Sequence, residues 1–266
     1  MCALLRAYLL RLRSSIRSAV IQALAFSLAI TLLVIIIGLF FPQAYTSFTR
    51  QALIGLARSV LGVTGQVPNE IISVVAAAVY APFLAALIAA VVASNVVSSA
   101  FSKDKASGVF EVLLSAPVSR RNIVATLIAV TAIIAVITAF TVLAATTLIA
   151  IPFLYLLGYL NTLSSYYVNL SLLLVPSTSV LAALIGLIVT VLMPLAARIR
   201  TGLAPWQNLT STIALIPALV PFIVLNVNPN LNPLTLATYT TITIATLSIL
   251  TITITPRVLK LENLIT

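Results

Sequence analysis

Residues 123–149 read IVATLIAVTAIIAVITAFTVLAATTLI. No Lys, Arg, Asp or Glu interrupts the run, which is long enough for a helix that crosses a bilayer, for which about 20 apolar residues suffice. In hydrocarbon such a segment satisfies its backbone by itself only as a helix. Five more segments share the pattern: Ala19–Phe41, Ile71–Val92, Leu172–Ala197, Trp206–Leu225 and Leu234–Thr255. An all-α membrane protein is expected, a single transmembrane domain over residues 1–266 with six spans. Pro217 and Pro221 should kink or break the fifth span near its outer end. The stretch TITIATLSILTITIT at 241–255 alternates like a strand. A lone strand would leave its backbone unpaired in lipid, so a helix is expected there as well.

Composition agrees. The chain is 62% hydrophobic and 7% charged, against about a quarter charged in a soluble domain. Mean hydropathy is +1.23. With no histidine and one cysteine, His-ligated metal sites, Ser-His-Asp systems, His proton relays and a disulfide scaffold are excluded. The first apolar run is too long for a signal-peptide core, and no clear cleavage site follows it.

The formal charge of +10 does not point to nucleic acid. The cations fall in short clusters between apolar runs, as topology signals do. Arg6, Arg11, Arg13, Arg17, Lys103, Lys105, Arg120, Arg121, Arg198, Arg200, Arg257 and Lys260 share one side of the six-span scheme, and only Arg50 and Arg58 the other. The basic side is expected to be cytoplasmic, with both termini inside and the chain in the cell membrane.

Residues 1–18 read as an amphipathic helix. Leu5, Leu9, Leu12 and Ile16 share a face, flanked by Arg6, Arg13 and Arg17. Such a helix lies in the headgroup layer with its apolar stripe toward lipid. Between Tyr45 and Asn69, Phe48, Ala52, Leu56 and Val60 recur at helical spacing, which predicts a short outer helix. Of two glycosylation sequons, only that at Asn169 falls outside in this scheme.

The cytoplasmic segment 98–122 carries the most information. Gly108 breaks the chain, and Phe110, Leu113 and Leu114 then form an apolar patch around one acid, Glu111, before Pro117. A short apolar helix with one fixed acid suits docking into a groove on a soluble partner.

The run DKASGVFEVLLSAPVSRR, residues 104–121, resembles the cytoplasmic loop of ABC-2 type transporter permeases. Asp104, Gly108, Glu111, Leu113, Leu114, Pro117 and Arg120 match that pattern. The basic amphipathic N-terminus, six spans, inner termini and broken fifth span resemble the family's layout too. Two positions depart from it: Val109 stands where the family often has Thr, and Thr126 where it often has Lys. The resemblance implies that this loop is the coupling helix seated in an ATPase subunit, with Phe110 as a further anchor. It also implies a second permease copy or a homologous permease as partner, and no cofactor.

The energy source is consistent with that implication. No span carries a titratable acid or base, which proton coupling needs. No GxxxxGK[ST] loop is present, so ATP is not bound here in that manner. Energy comes from another polypeptide, or the protein is a passive or sodium-coupled transporter or a non-transporting scaffold. Ser94, Asn95 and the threonines of the sixth span are the groups available to sodium. A pathway of apolar and hydroxyl side chains suits lipids, drugs or other amphipathic molecules.

Overall fold

The apolar runs form helices that outlast their apolar stretches, because charged residues do not end a helix whereas a left-handed glycine does. The computed structural model describes residues 2–40, 47–62, 65–115, 118–192, 204–228 and 231–258. Helix α1 is Cys2–Arg11, α2 is Arg13–Phe40 and α3 is Ser47–Leu61. Helix α4 is Asn69–Ala106, and α5 is Val109–Ser115. Helices α6, α7, α8 and α9 are Arg120–Leu156, Leu160–Leu192, Ala204–Val227 and Pro233–Val258. Gly108, at φ 68°, separates α4 from α5, and Gly158, at φ 78°, separates α6 from α7. No strand occurs among the described residues, and the threonine-rich run is helical.

Among the described residues, five helices are long and apolar enough to cross a membrane: Arg13–Phe40, Asn69–Ala106, Arg121–Leu156, Leu163–Leu192 and Pro233–Pro256. The fifth predicted span falls within α8, whose apolar part Thr212–Val227 is shorter than these. Of the kink or break expected at Pro217 and Pro221, the break does not occur: both prolines lie inside one helix. Neighbouring helices can re-satisfy the backbone groups that a proline frees.

Helix α4 is the centre of the bundle. Its most apolar stretch is 83% buried, against 11% for that of the peripheral α9. It packs on α7, α8, α2 and α6, while α9 lies on the outside of α7. Small residues permit this: Ala85, Ala86, Ala89, Ala90 and Ala93 are all buried. Gly186 of α7 touches the backbone of α4 so closely that a Cβ there would stand 2.9 Å from the Ser94 oxygen. With little hydrophobic drive between helices in lipid, such close packing and interhelical hydrogen bonds carry association. Thr190 Oγ1 donates to Ser98 Oγ at 2.9 Å, and Ser179 Oγ donates to the Ala135 carbonyl at 2.9 Å. A π-helical turn at Ala76–Tyr80 interrupts α4. There the Tyr80 hydroxyl donates to Asn226 Oδ1 of α8 at 2.7 Å.

Several hydroxyls considered as sodium ligands are used locally. Thr238, Thr243, Thr246, Thr251 and Thr255 donate to carbonyls four residues back, and Ser94 donates to the Val91 carbonyl. The Asn169 sequon lies inside α7 with the Ser171 side chain buried. The short helix expected between Tyr45 and Asn69 is present as α3, with Ala52 and Leu56 buried. Arg50 donates to Asn69 Oδ1 at 3.1 Å and Arg58 to the Gly65 carbonyl at 3.2 Å.

Candidate functional site

The segment that resembles a coupling loop divides in two. Asp104, predicted to open a cytoplasmic loop, instead lies in the last turn of α4 and is buried at 3% exposure. Helix continues to Ala106 because nothing before Gly108 stops it.

The Asp104 carboxylate ties α4 to the N-terminal helix. Tyr8 donates its hydroxyl to Oδ2, and Arg11 Nε donates to Oδ1 at 2.9 Å. Arg11 Nη2 also reaches Ser107 Oγ at 3.3 Å. The Tyr8 ring stacks on Phe101, one turn back on α4, with centroids 6.2 Å apart. Burial raises the Tyr8 phenol well above its ordinary value. The Asp104 charge and hydrogen bond raise it further, and Arg11 opposes them. The phenol therefore stays protonated and serves as a donor. On the next residue, the buried Lys105 ammonium donates to the Val191 carbonyl of α7 at 3.4 Å. Thus α1, α4 and α7 are joined within two residues at the basic end.

Gly108 reverses the chain, and α5 follows. Phe110 turns inward, 2% exposed and part of the main core. The expectation that it anchors a partner's groove is corrected here: its ring already fills a groove of its own chain. Val109 and Leu113 pack partly against the same core. Glu111 is exposed and Val112 is 69% exposed. A Cβ on Gly108 would stand 3.6 Å from Glu111 Oε2, so the carboxylate folds back over the turn. The Leu114 and Arg120 side chains, and Pro117 altogether, lie outside the described residues.

The N-terminal stripe is present but faces protein. Leu12 is buried, and Leu5, Leu9 and Ile16 pack against the main core, where a lipid-facing stripe was expected. Arg6, Arg13 and Arg17 are exposed. Helix α1 rests on α6 and is held by Asp104, so tertiary contacts set its position.

Tyr8, Arg11 and Lys105 escaped the sequence reading as partners of the loop. One signal was available: Asp104 is one of only four acids in the chain, and a carboxylate next to a long apolar helix needs a partner nearby. The arrangement can position a small exposed helix rigidly on the central helix. Among the described residues, no group of three or more His, Cys, Asp or Glu side chains could hold a metal ion. No protein-family model, curated protein or solved structure matches the chain.

Proposed function

We propose that this chain is the permease subunit of an ABC-2 type ATP-driven exporter, and that α5 couples it to a separate ATPase subunit. The observation that carries this reading is the 104–121 sequence pattern, whose one exposed acid, Glu111, stands on the short helix α5. Two features of α5 support it. Glu111 and Val112 are presented outward. Phe110 fixes the root of the helix in the core. A force on α5 would therefore enter the body of the protein and not a slack loop.

In this reading α5 and both termini are cytoplasmic and α8 supplies the sixth span. Two copies, or one copy and a homologous permease, pair around the pathway. ATP binding to the ATPase subunits moves α5, and α4, next to it in the chain and the most buried helix, passes that movement to α7 and α8. This chain contributes no nucleotide site and no cofactor. The substrate class that suits the uncharged spans is an amphipathic molecule.

The test is reconstitution in vesicles, with and without an ABC ATPase subunit from the same organism. Export of an amphipathic probe should require both chains and ATP, and the purified single chain should not hydrolyse ATP. Hydrolysis by the single chain, or export without a partner, would sink the reading.

A further inference from the structure

Helix α1 runs into α2 with little break. Leu12, the residue between them, donates its N–H to the Tyr8 carbonyl at 3.0 Å, and its own carbonyl accepts from Ile16 at 2.9 Å. Helical spacing therefore holds across the junction. Arg6, Leu10, Arg13 and Arg17 follow at steps of four, three and four, so they form one stripe, and all four are exposed. Leu10 and Arg13 line one groove with Arg6 and another with Arg17. The stripe continues along α2 through Ile21, Leu24 and Leu28, which are exposed as well. The other face of α2, with Ala19, Ala23, Ser27 and Thr31, is buried in the bundle.

The basic half of this stripe is unfavourable on its own. Arg13 and Arg17 stand four residues apart, where like charges repel. Both lie near the start of α2, the positive end of its dipole, and no acid accompanies them in its first turn. Arg11 is paired with Asp104, but among the described residues no hydrogen bond or ion pair engages Arg6, Arg13 or Arg17. An anion beside the stripe relieves both the repulsion and the dipole. The continuation of the stripe says where that anion comes from. With Ile21, Leu24 and Leu28 against acyl chains, the arginines in the turns before them stand against the headgroups of the same lipids. Arg13 and Arg17 are roughly 6 Å apart along the axis, within a headgroup layer roughly 5–8 Å deep. Arg6 stands roughly 10 Å beyond Arg13, about one Debye length.

We propose that this stripe is a binding surface for anionic phospholipid. Arg13 and Arg17 hold the phosphate, and Arg6 adds to the field from the aqueous side. Leu10, 66% exposed, sets an apolar side chain among the cations, the mixture that seats a helix in a headgroup layer. The acyl chains run along Ile21, Leu24 and Leu28. The stripe thus repeats, in order along one helix face, the polarity of a single lipid from head to tail. Basic segments beside a span attract anionic lipid by the same chemistry. The assignment rests on α2 crossing the membrane and requires no ATPase partner.

The test uses the purified full chain in phosphatidylcholine nanodiscs doped with photoactivatable phosphatidylglycerol or phosphatidylcholine, labelled in the acyl chain. Phosphatidylglycerol should give more adducts on α2 around Ile21 and Leu24 than phosphatidylcholine. Arg13→Gln should lower that preference about fivefold, which is about 1 kcal/mol for one cation near an anionic surface. Arg13→Lys should retain it, because charge carries the attraction. Arg121→Gln, an exposed cation at the start of α6 and off the stripe, should leave it unchanged. Arg13→Gln should unfold in zwitterionic detergent no earlier than wild type, since it relieves a like-charge pair. Earlier unfolding would make Arg13 a structural residue and overturn the assignment. Equal labelling by both lipids, or a preference indifferent to Arg13→Gln, would overturn it as well. An equal loss in Arg121→Gln would leave only the general charge of this end of the protein and overturn the stripe. Abolition by millimolar inorganic phosphate at constant ionic strength would make it a soluble-anion site and overturn the lipid. In native membranes a photoreactive side chain at Leu10 should cross-link to lipid, and a cross-link to another protein chain in its place would overturn the lipid too.

Discussion

Arg11 and Asp104 form an ion pair at 2.9 Å in which the arginine is 46% exposed and the carboxylate 4%. The asymmetry decides what each mutation does. Removing the exposed partner leaves Asp104 with Tyr8 and some access to water through the vacated space. Removing the buried partner strips Tyr8 and Arg11 of their shared acceptor. Asp104→Ala leaves the buried Tyr8 hydroxyl without its acceptor and should cost about 1–3 kcal/mol. Arg11→Ala should cost about 1 kcal/mol or less, because solvent screens it. Thermal unfolding of the two variants in detergent checks the order, and equal losses would contradict it.

The Tyr8 phenol gives this latch a pH dependence. Its folded value lies above the ordinary 10.0, through burial first and Asp104 second. An unfolded chain releases that proton above about pH 10 while the folded chain keeps it. The contribution is therefore complete below about pH 10 and is lost as pH rises through the folded value. Between about pH 9 and about pH 11, wild type should lose more thermal stability than Tyr8→Phe. Parallel curves would show that the phenol is not linked to folding.

Gly186 tests the core of the bundle. With Ser94 O only 2.9 Å from the position of an added Cβ, two backbones must separate to admit a methyl group. Gly186→Ala should destabilise by about 1–3 kcal/mol, the usual cost of overpacking. Gly38 meets Ser73 less tightly, with Cβ and Oγ at 3.1 Å and Cα at 3.2 Å, so a smaller backbone shift admits the methyl group. Gly38→Ala should therefore cost less, and the reverse order would contradict close α4–α7 contact as the origin.

The long helices were legible because long uncharged runs have one stable form in lipid. Their ends were not. The apolar window over 71–92 ended where charges neared, whereas α4 continues through Lys103, Asp104 and Lys105 to Ala106. The chain turns at Gly108 and Gly158, whose positive φ only the backbone reveals. Phe110, Leu113 and Leu114 were readable as a patch, but spacing cannot say whether a patch meets its own core or another protein. That α8 stays helical through Pro217 and Pro221 was not legible, because its neighbours are invisible in the sequence. The Tyr8–Asp104 contact joins residues far apart in the chain, and no local pattern encodes it.

The orientation rests on where the cations lie. In cells with Cys2 replaced, a cysteine at Ser107 should be shielded from an impermeant thiol reagent, and one at Gly65 should react. Both are solvent-facing positions, so burial does not confuse the outcome. External labelling at Ser107 would invert the topology.

Helix α5 separates two roles that neighbouring residues play. Phe110→Ala empties a buried site and should cost about 3–5 kcal/mol of stability. Glu111→Ala touches an exposed carboxylate and should leave stability unchanged. The most direct measurement is the affinity of the purified chain for an ABC ATPase subunit from the same organism, wild type against Glu111→Ala. A charge-assisted contact that loses one partner costs about 2–5 kcal/mol, so Glu111→Ala should weaken binding more than tenfold while Arg50→Ala leaves it unchanged. Binding at wild-type strength by Glu111→Ala would contradict the account and make α5 a connector.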